Sequence, residues 1–352
     1  MERETIGKRL RSARLMRGLT MDELIGQMQH KVSKNAISRY ENGVMVPRLT
    51  VLEDLARVLQ QPLDYFMRPV SVVVKYVKFR TKSALPAKAI DSIQAQAIEL
   101  MERYLETERL LMHNSSFVNP MAGTVIHNAQ EAETAANNWR QSWQLGEKGL
   151  HNIYGLLEKH HIKVAELENT DEAFDGLAIT INDDAPIIML NKQMTIERRR
   201  FTALHELAHL LFTFDEQHMS NDEQEKACHR FAGAALMPCS LLQSLLGSKR
   251  ESVLLDELIN IKELYGISLQ ALMYRCVECD IISYRRHLTF KNWIADNLKE
   301  EGLGSYQGKE ETNRFELMVL KALDQEQVSL SKAADLLRME VRQLKQKLER
   351  RF

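Results

Sequence analysis

The run Phe201-Thr-Ala-Leu-His-Glu-Leu-Ala-His-Leu-Leu-Phe212 constrains this 352-residue chain more than any other feature. Its apolar positions predict a buried helix that begins near Ile196 and reaches about Phe212. His205 and His209, four apart, share one face of that helix, so both imidazoles can reach one metal ion. Two polar rings in an apolar helix require a partner. Glu206, beside the first histidine, is placed to act as general base on a water molecule. Two histidines, a carboxylate and an open coordination position suit Zn2+.

A third ligand must come from downstream. His218, Asp222, Glu223, Glu225, Cys228 and His229 are available. Glu225, Cys228 and His229 stand at i, i+3 and i+4 on a second buried helix, Asp222 to Met237, which stops at Pro238. Spacing does not choose among these three. His218 reads as a surface residue, and Cys228 and His229 read as packing or supporting groups beside the site. Upstream, a strand is expected at Ile162–Leu167. The runs 177–182 and 187–191 bracket Asp183-Asp184-Ala185-Pro186 as a hairpin. Either hairpin strand could offer an edge to an extended polypeptide substrate. With helices near 128–143, 149–160, 239–247, 250–264 and 268–279, residues 128–300 read as one α+β domain. Gly302, Gly304 and Gly308 among polar residues make 301–312 read as a linker.

Residues 1–68 read as short helices with clear start signals. Thr20 with Glu23 forms a capping box, Ser33 caps the helix that follows, and Gly43 ends it. The order is that of a helix-turn-helix, whose second helix enters the DNA major groove. Lys34, Asn35, Ser38 and Arg39 lie on that helix. Lys and Arg suit guanine and Asn suits adenine, while Ile37 and Tyr40 should face inward. The first helix (Lys8, Arg9, Arg11, Arg14, Arg17) is expected to touch phosphates. Residues 69–127 read as a connecting segment, with a short strand at 71–75 and a polar helix at 87–111. The acidic face of that helix (Glu99, Glu102, Glu106, Glu108) reads as solvated. Residues 313–352 predict three more short helices, resembling a second small helix-turn-helix. The last is basic (Arg342, Lys345, Lys347, Arg350, Arg351), and DNA contact, dimerisation and docking to the zinc domain are all open to it.

The chain balances 47 Lys and Arg against 48 Asp and Glu. This excludes a protein that coats nucleic acid with its whole surface, but the total hides a basic surplus over residues 1–68. Four scattered cysteines do not form a disulfide framework, and Cys276-Val-Glu-Cys279 reads as a buried helix end. These features predict a cytoplasmic protein. No apolar run is long enough to span a membrane, and the N-terminus lacks the apolar core of a signal peptide.

Two resemblances follow from these residues. The run Arg198-Arg-Arg-Phe-Thr-Ala-Leu-His-Glu-Leu-Ala-His-Leu-Leu-Phe212 is followed by Glu225, Phe231-Ala232 and Leu236-Met-Pro238. Together they resemble the ImmA/IrrE metallopeptidase family, as do Phe174-Asp175-Gly176 and Trp143-Gln-Leu-Gly146. The resemblance implies a zincin-like fold with Zn2+ held by His205, His209 and Glu225. Cys228 and His229 depart from the family pattern. Residues 1–68 resemble the XRE (lambda-repressor-like) helix-turn-helix family, except that Gln29-His30-Lys31 lengthens the turn and Met21 replaces a common polar residue. The resemblances imply a mainly α chain, joining an all-α DNA-binding head to an α+β zinc endopeptidase and a small helical C-terminal module. Such a protein would bind operator DNA as a homodimer. It would cut a repressor or antitoxin-like protein in a stress or phage response. The rivals are a regulator whose zinc fold senses a ligand without proteolysis, and a toxin–antitoxin-style binding partner.

Overall fold

The computed structural model describes residues 2–68, 77–79, 85–112, 116–168, 173–181, 184–296 and 300–349. The first helices are α1 (Glu2–Met16), α2 (Met21–Gln27), α3 (Lys34–Glu41), α4 (Leu49–Leu59) and α5 (Leu63–Met67). Strand β1 (Val77–Phe79), helix α6 (Ala87–Leu110), strand β2 (Val125–Ile126), α7 (Ala129–Ser142) and α8 (Ile153–Lys159) follow. Next come β3 (Lys163–Leu167), β4 (Gly176–Ile181), β5 (Ala185–Asn191), α9 (Ile196–Leu211), β6 (Thr213–Phe214) and α10 (Asn221–Leu236). The chain continues through α11 (Cys239–Leu246), α12 (Leu255–Tyr265), α13 (Leu269–Glu278) and α14 (Tyr284–Asp296). It ends with α15 (Arg314–Asp324), α16 (Leu330–Leu336) and α17 (Val341–Leu348). The strand expected at 71–75 lies outside the described residues, as do Asn182 and Asp183 in the hairpin turn, Arg350 and Arg351. Among the described residues no helix is long and apolar enough to cross a membrane.

The chain forms two compact units, one of residues 1–76, 84–115 and 314–352, the other of 77–83 and 116–313. In the first, α1–α5 enclose a core that includes Leu10, Leu24, Ile37, Leu55, Leu59, Tyr65 and Phe66. The Thr20–Glu23 capping box forms, and the Ser33 hydroxyl accepts the Ala36 N–H. Gly7 lets α1 lie against the end of α3, since a Cβ there would stand 2.5 Å from the Tyr40 carbonyl oxygen. The acidic face of α6 is a correction to its expected solvation. Glu99 and Glu108 are buried, and Glu99 receives Arg9 at 3.3 Å and Arg338 at 3.2 Å. Partners distant in sequence turn this face into an internal ion-pair network. Helices α15–α17 build a small core from Val319, Ala322, Ala333, Leu336 and Leu344.

In the second unit the strand order is β1-β4-β5-β3. The expected hairpin forms, with β4 antiparallel to β5 and Ile181 opposite Ala185, while β3 runs parallel to β5. The expected substrate edge does not form at 187–191, because β5 is paired on both sides. On β4, residues 179–181 are covered by β1. Strands β2 and β6 form a separate parallel pair. Helix α9 packs on β4 and β5, and α10 packs on both α7 and α9. Trp139, Tyr154, Leu204 and Phe231 lie in the shared core.

Three features depart from expectation. Residues 301–312 are not a linker but part of the second unit. The Glu310 carboxylate pairs with the Arg200 guanidinium, both fully buried, and the Tyr306 N–H donates to Glu197 at 2.7 Å. Arg200 also donates to the carbonyls of Leu150, His151, Tyr265 and Gly266. Helix α14 was not expected, because its run of Tyr, Arg, His, Phe and Trp has no clear apolar stripe. Cys279, expected at a plain helix end, is joined to Cys239 by a disulfide. Cys276 remains a buried thiol, with its pKa pushed up to about 12 by burial.

Removing one partner of a fully buried ion pair leaves the other charge uncompensated. Glu310→Ala should therefore cost about 3–5 kcal/mol of stability. A lower urea midpoint measures the loss; an unchanged midpoint would show that Arg200 needs no carboxylate.

Candidate metal centre and reading helix

Helix α9 is capped by the Thr195 side chain and buried along most of its length, so its polar groups face packed protein. His205, Glu206 and His209 are all buried there, and α10 brings Glu225 against them. The Glu225 carboxylate stands 3.2 Å from His205 Nε2 and 3.7 Å from His209 Nε2. Two imidazole nitrogens and a carboxylate thus converge. His205 Nδ1 is buried with no hydrogen-bond partner among the described residues.

Cys228 is fully buried, and its Sγ lies 3.6 Å from His209 Nδ1, the opposite ring nitrogen from the one turned to Glu225. Donor atoms of His205, His209 and Cys228 do lie within 4.8 Å of one another. The two Nε2 atoms nevertheless share Glu225, and Cys228 backs the second histidine. His229 packs its ring against His205 at 4.6 Å and against Phe201 at 5.8 Å. The remaining candidates serve elsewhere: His218 bonds Asp215, Glu223 caps α10, and Asp222 lies exposed in its first turn.

Strand β4 completes the floor. The Ala178 N–H donates to Glu206 Oε2 at 2.9 Å. Gly176 permits this approach, because a Cβ there would stand 2.6 Å from Thr202 Cγ2 and 3.3 Å from Glu206 Cγ. Burial, opposed by His205 and the Ala178 hydrogen bond, pushes Glu206 up to about 7. Burial works against charge on His205 as well, yet Glu225 and Glu206 raise its pKa overall. Two carboxylates and two imidazoles gather here, with the Glu225 side chain 35% exposed, so the donor set fits a divalent cation.

In the first unit, Lys34, Asn35 and Arg39 are exposed on α3, while Ser38 is half-buried and accepts from the Asn42 side chain. Ile37 and Tyr40 face the core as expected. Lys34 also meets Asp22 at 2.6 Å, an exposed pair. The long turn before α3 is pinned by Asp54, which accepts the His30 N–H at 2.7 Å, a contact no local pattern announces. Two of the expected phosphate contacts are structural instead. Arg9 is buried against Glu99 and Glu102, and Arg14 holds Glu41 through two bonds of 2.6 and 2.9 Å.

Comparison with known families agrees with this division. Residues 10–66 match the helix-turn-helix family model, and residues 157–277 match the peptidase M78 model described as the IrrE N-terminal-like domain. No curated protein and no solved structure matches the chain. The chain therefore fuses an XRE-type helix-turn-helix domain to an IrrE-like metallopeptidase-family domain.

The raised Glu206 pKa carries a stability consequence. A carboxylate whose folded-state pKa exceeds its unfolded value opposes folding once ionised. The penalty is absent below about 4.5 and complete above about 7. In chelator-treated protein, Glu206→Gln should gain about 3 kcal/mol well above pH 7 and almost nothing near pH 4.5. Urea melts at the two pH values measure this, and equal gains would contradict the raised pKa.

Proposed function

We propose that the chain is a DNA-binding zinc endopeptidase and transcriptional regulator. In this reading it cuts a repressor- or antitoxin-like protein in a stress or mobile-element response. The observation that carries it is the convergence of His205 Nε2, His209 Nε2 and the Glu225 carboxylate beside buried Glu206. His205, His209 and Glu225 hold the metal in this reading, and Cys228 orients His209 from behind. Zinc, when bound, supplies Lewis-acid charge that favours attack of water on a peptide carbonyl.

The chain's own groups do the rest. The Ala178 N–H fixes Glu206 Oε2, leaving Oε1 to take a proton from the attacking water. The same carboxyl group then gives the proton to the departing amine, which restores the carboxylate. Burial at the α9–β4 contact keeps this group out of bulk solvent and matches its basicity to neutral pH. A sensor has no need of a carboxylate buried at such cost, so Glu206 favours the enzyme. Lys34, Asn35, Ser38 and Arg39 read the operator from α3. Heads of this kind pair on two half-sites, so the reading includes a homodimer. Tethering to DNA raises the local concentration of a DNA-bound substrate.

Metal analysis should find about one zinc per chain, lost in His205→Ala and Glu225→Ala but kept in Cys228→Ala. Retention in Glu225→Ala with loss in Cys228→Ala would reassign the third ligand. Glu206→Gln should keep zinc and cut hydrolysis at least about 100-fold. Comparing the proteomes of cells expressing wild type and Glu206→Gln identifies the substrate, and identical proteomes would reject proteolysis.

Lys34→Ala with Arg39→Ala should weaken operator binding in a gel-shift titration. Undiminished binding would move the reading face off α3.

A further inference from the structure

The C-terminal module has the geometry of a second reading head. Helix α16 is capped by Ser329, whose hydroxyl accepts the Lys332 N–H, and a four-residue turn, 337–340, leads into α17. Arg338 in that turn has a φ of 52°, which reverses the chain sharply. Helix α15 packs on α16, and α16 on α17, around the small apolar core. Of α17 only Leu344 is buried. At about 100° per residue, Arg342 and Gln346 point directly away from Leu344, flanked by Gln343 and Lys345. Arg342, Lys345 and Gln346 are exposed. Among the described residues Arg342 and Lys345 have no ion pair, whereas Lys347 meets Glu316 at 2.6 Å. The outward face therefore presents two cations and two amides, with the exposed Glu349 carboxylate at its C-terminal end, so its N-terminal part suits phosphates, guanine and adenine.

The module's attachment supports this. Within the first unit, Arg338 pairs with Glu99 at 3.2 Å, and Arg103 donates to the Leu336 carbonyl at 2.6 Å. Arg68, just after α5, pairs with Asp335. These buried and half-buried bonds fix the α16–α17 turn to α6 and to the first head. Holding the five-helix head and the three-helix module together matters when both engage one extended ligand.

We propose that α17 is a second DNA-contacting helix, so that each chain reads a bipartite site through α3 and α17. A duplex is the occupant that the charge favours, and the reading rests on α3 binding DNA.

The test uses the full-length protein, a labelled duplex selected by the wild type from a random-sequence pool, and a salt titration. Arg342→Ala with Lys345→Ala changes only exposed side chains. It should weaken binding at least about tenfold and lower the slope of log affinity against log salt by about two. It should also shorten the nuclease footprint at one end. Unchanged affinity, slope and footprint, with an unchanged melting temperature, would overturn the proposal. So would intact DNA binding accompanied by loss of a protein partner, which would make α17 a protein-docking face. Loss through Lys34→Ala with Arg39→Ala alone rejects only the second head. Loss through neither pair rejects both heads.

Discussion

Three ionisable side chains buried on one helix cannot be satisfied by that helix alone. His205, Glu206 and His209 occupy less than two turns of α9, and each is buried. Their needs dictate what surrounds them. Helix α10 must come close enough to deliver Glu225 to two ring nitrogens. Strand β4 must come close enough to deliver a backbone N–H to Glu206, which a glycine at 176 makes possible. The convergence of two ring nitrogens and a carboxylate that results is the reason a cation belongs there.

The sheet and the helices around it serve this one pairing. The fully buried β5 gives α9 an apolar floor, and α7 braces α10 from the far side. Arg200 fixes the opposite end of α9 by gathering four carbonyls and the Glu310 carboxylate. A guanidinium suits this task, since its five donors are held in a rigid plane.

Much of the site was legible because it is local. The histidine spacing, the apolar flanks and the caps at Thr20 and Ser33 are all read within one or two helical turns. The hairpin strands were legible from alternation and the intervening turn residues. What escaped were contacts between distant positions. Glu225, Cys228 and His229 share one face in the sequence, and only the α9–α10 contact shows that Glu225 meets the Nε2 atoms, Cys228 meets His209 Nδ1 and His229 packs against the His205 ring. The acidic face of α6 looked solvated because Arg9 and Arg338 lie far away along the chain. Asp54 pins a turn 24 residues earlier for the same reason. Helix α14 escaped for a different cause, since its aromatic and basic residues mask its period.

The packing of Tyr306 and Glu310 bears on where the second unit can be divided from its neighbours. Glycines at 302, 304 and 308 invite a cut at residue 300. A fragment ending there would strand the Arg200 guanidinium in a dry interior and remove the Tyr306 ring from beneath it, 4.2 Å away. The thermodynamic boundary of the unit thus lies after Glu310. A glycine-rich stretch that is mostly exposed is nevertheless anchored to the core, by Tyr306, Glu310 and scattered backbone bonds rather than by a helix or strand.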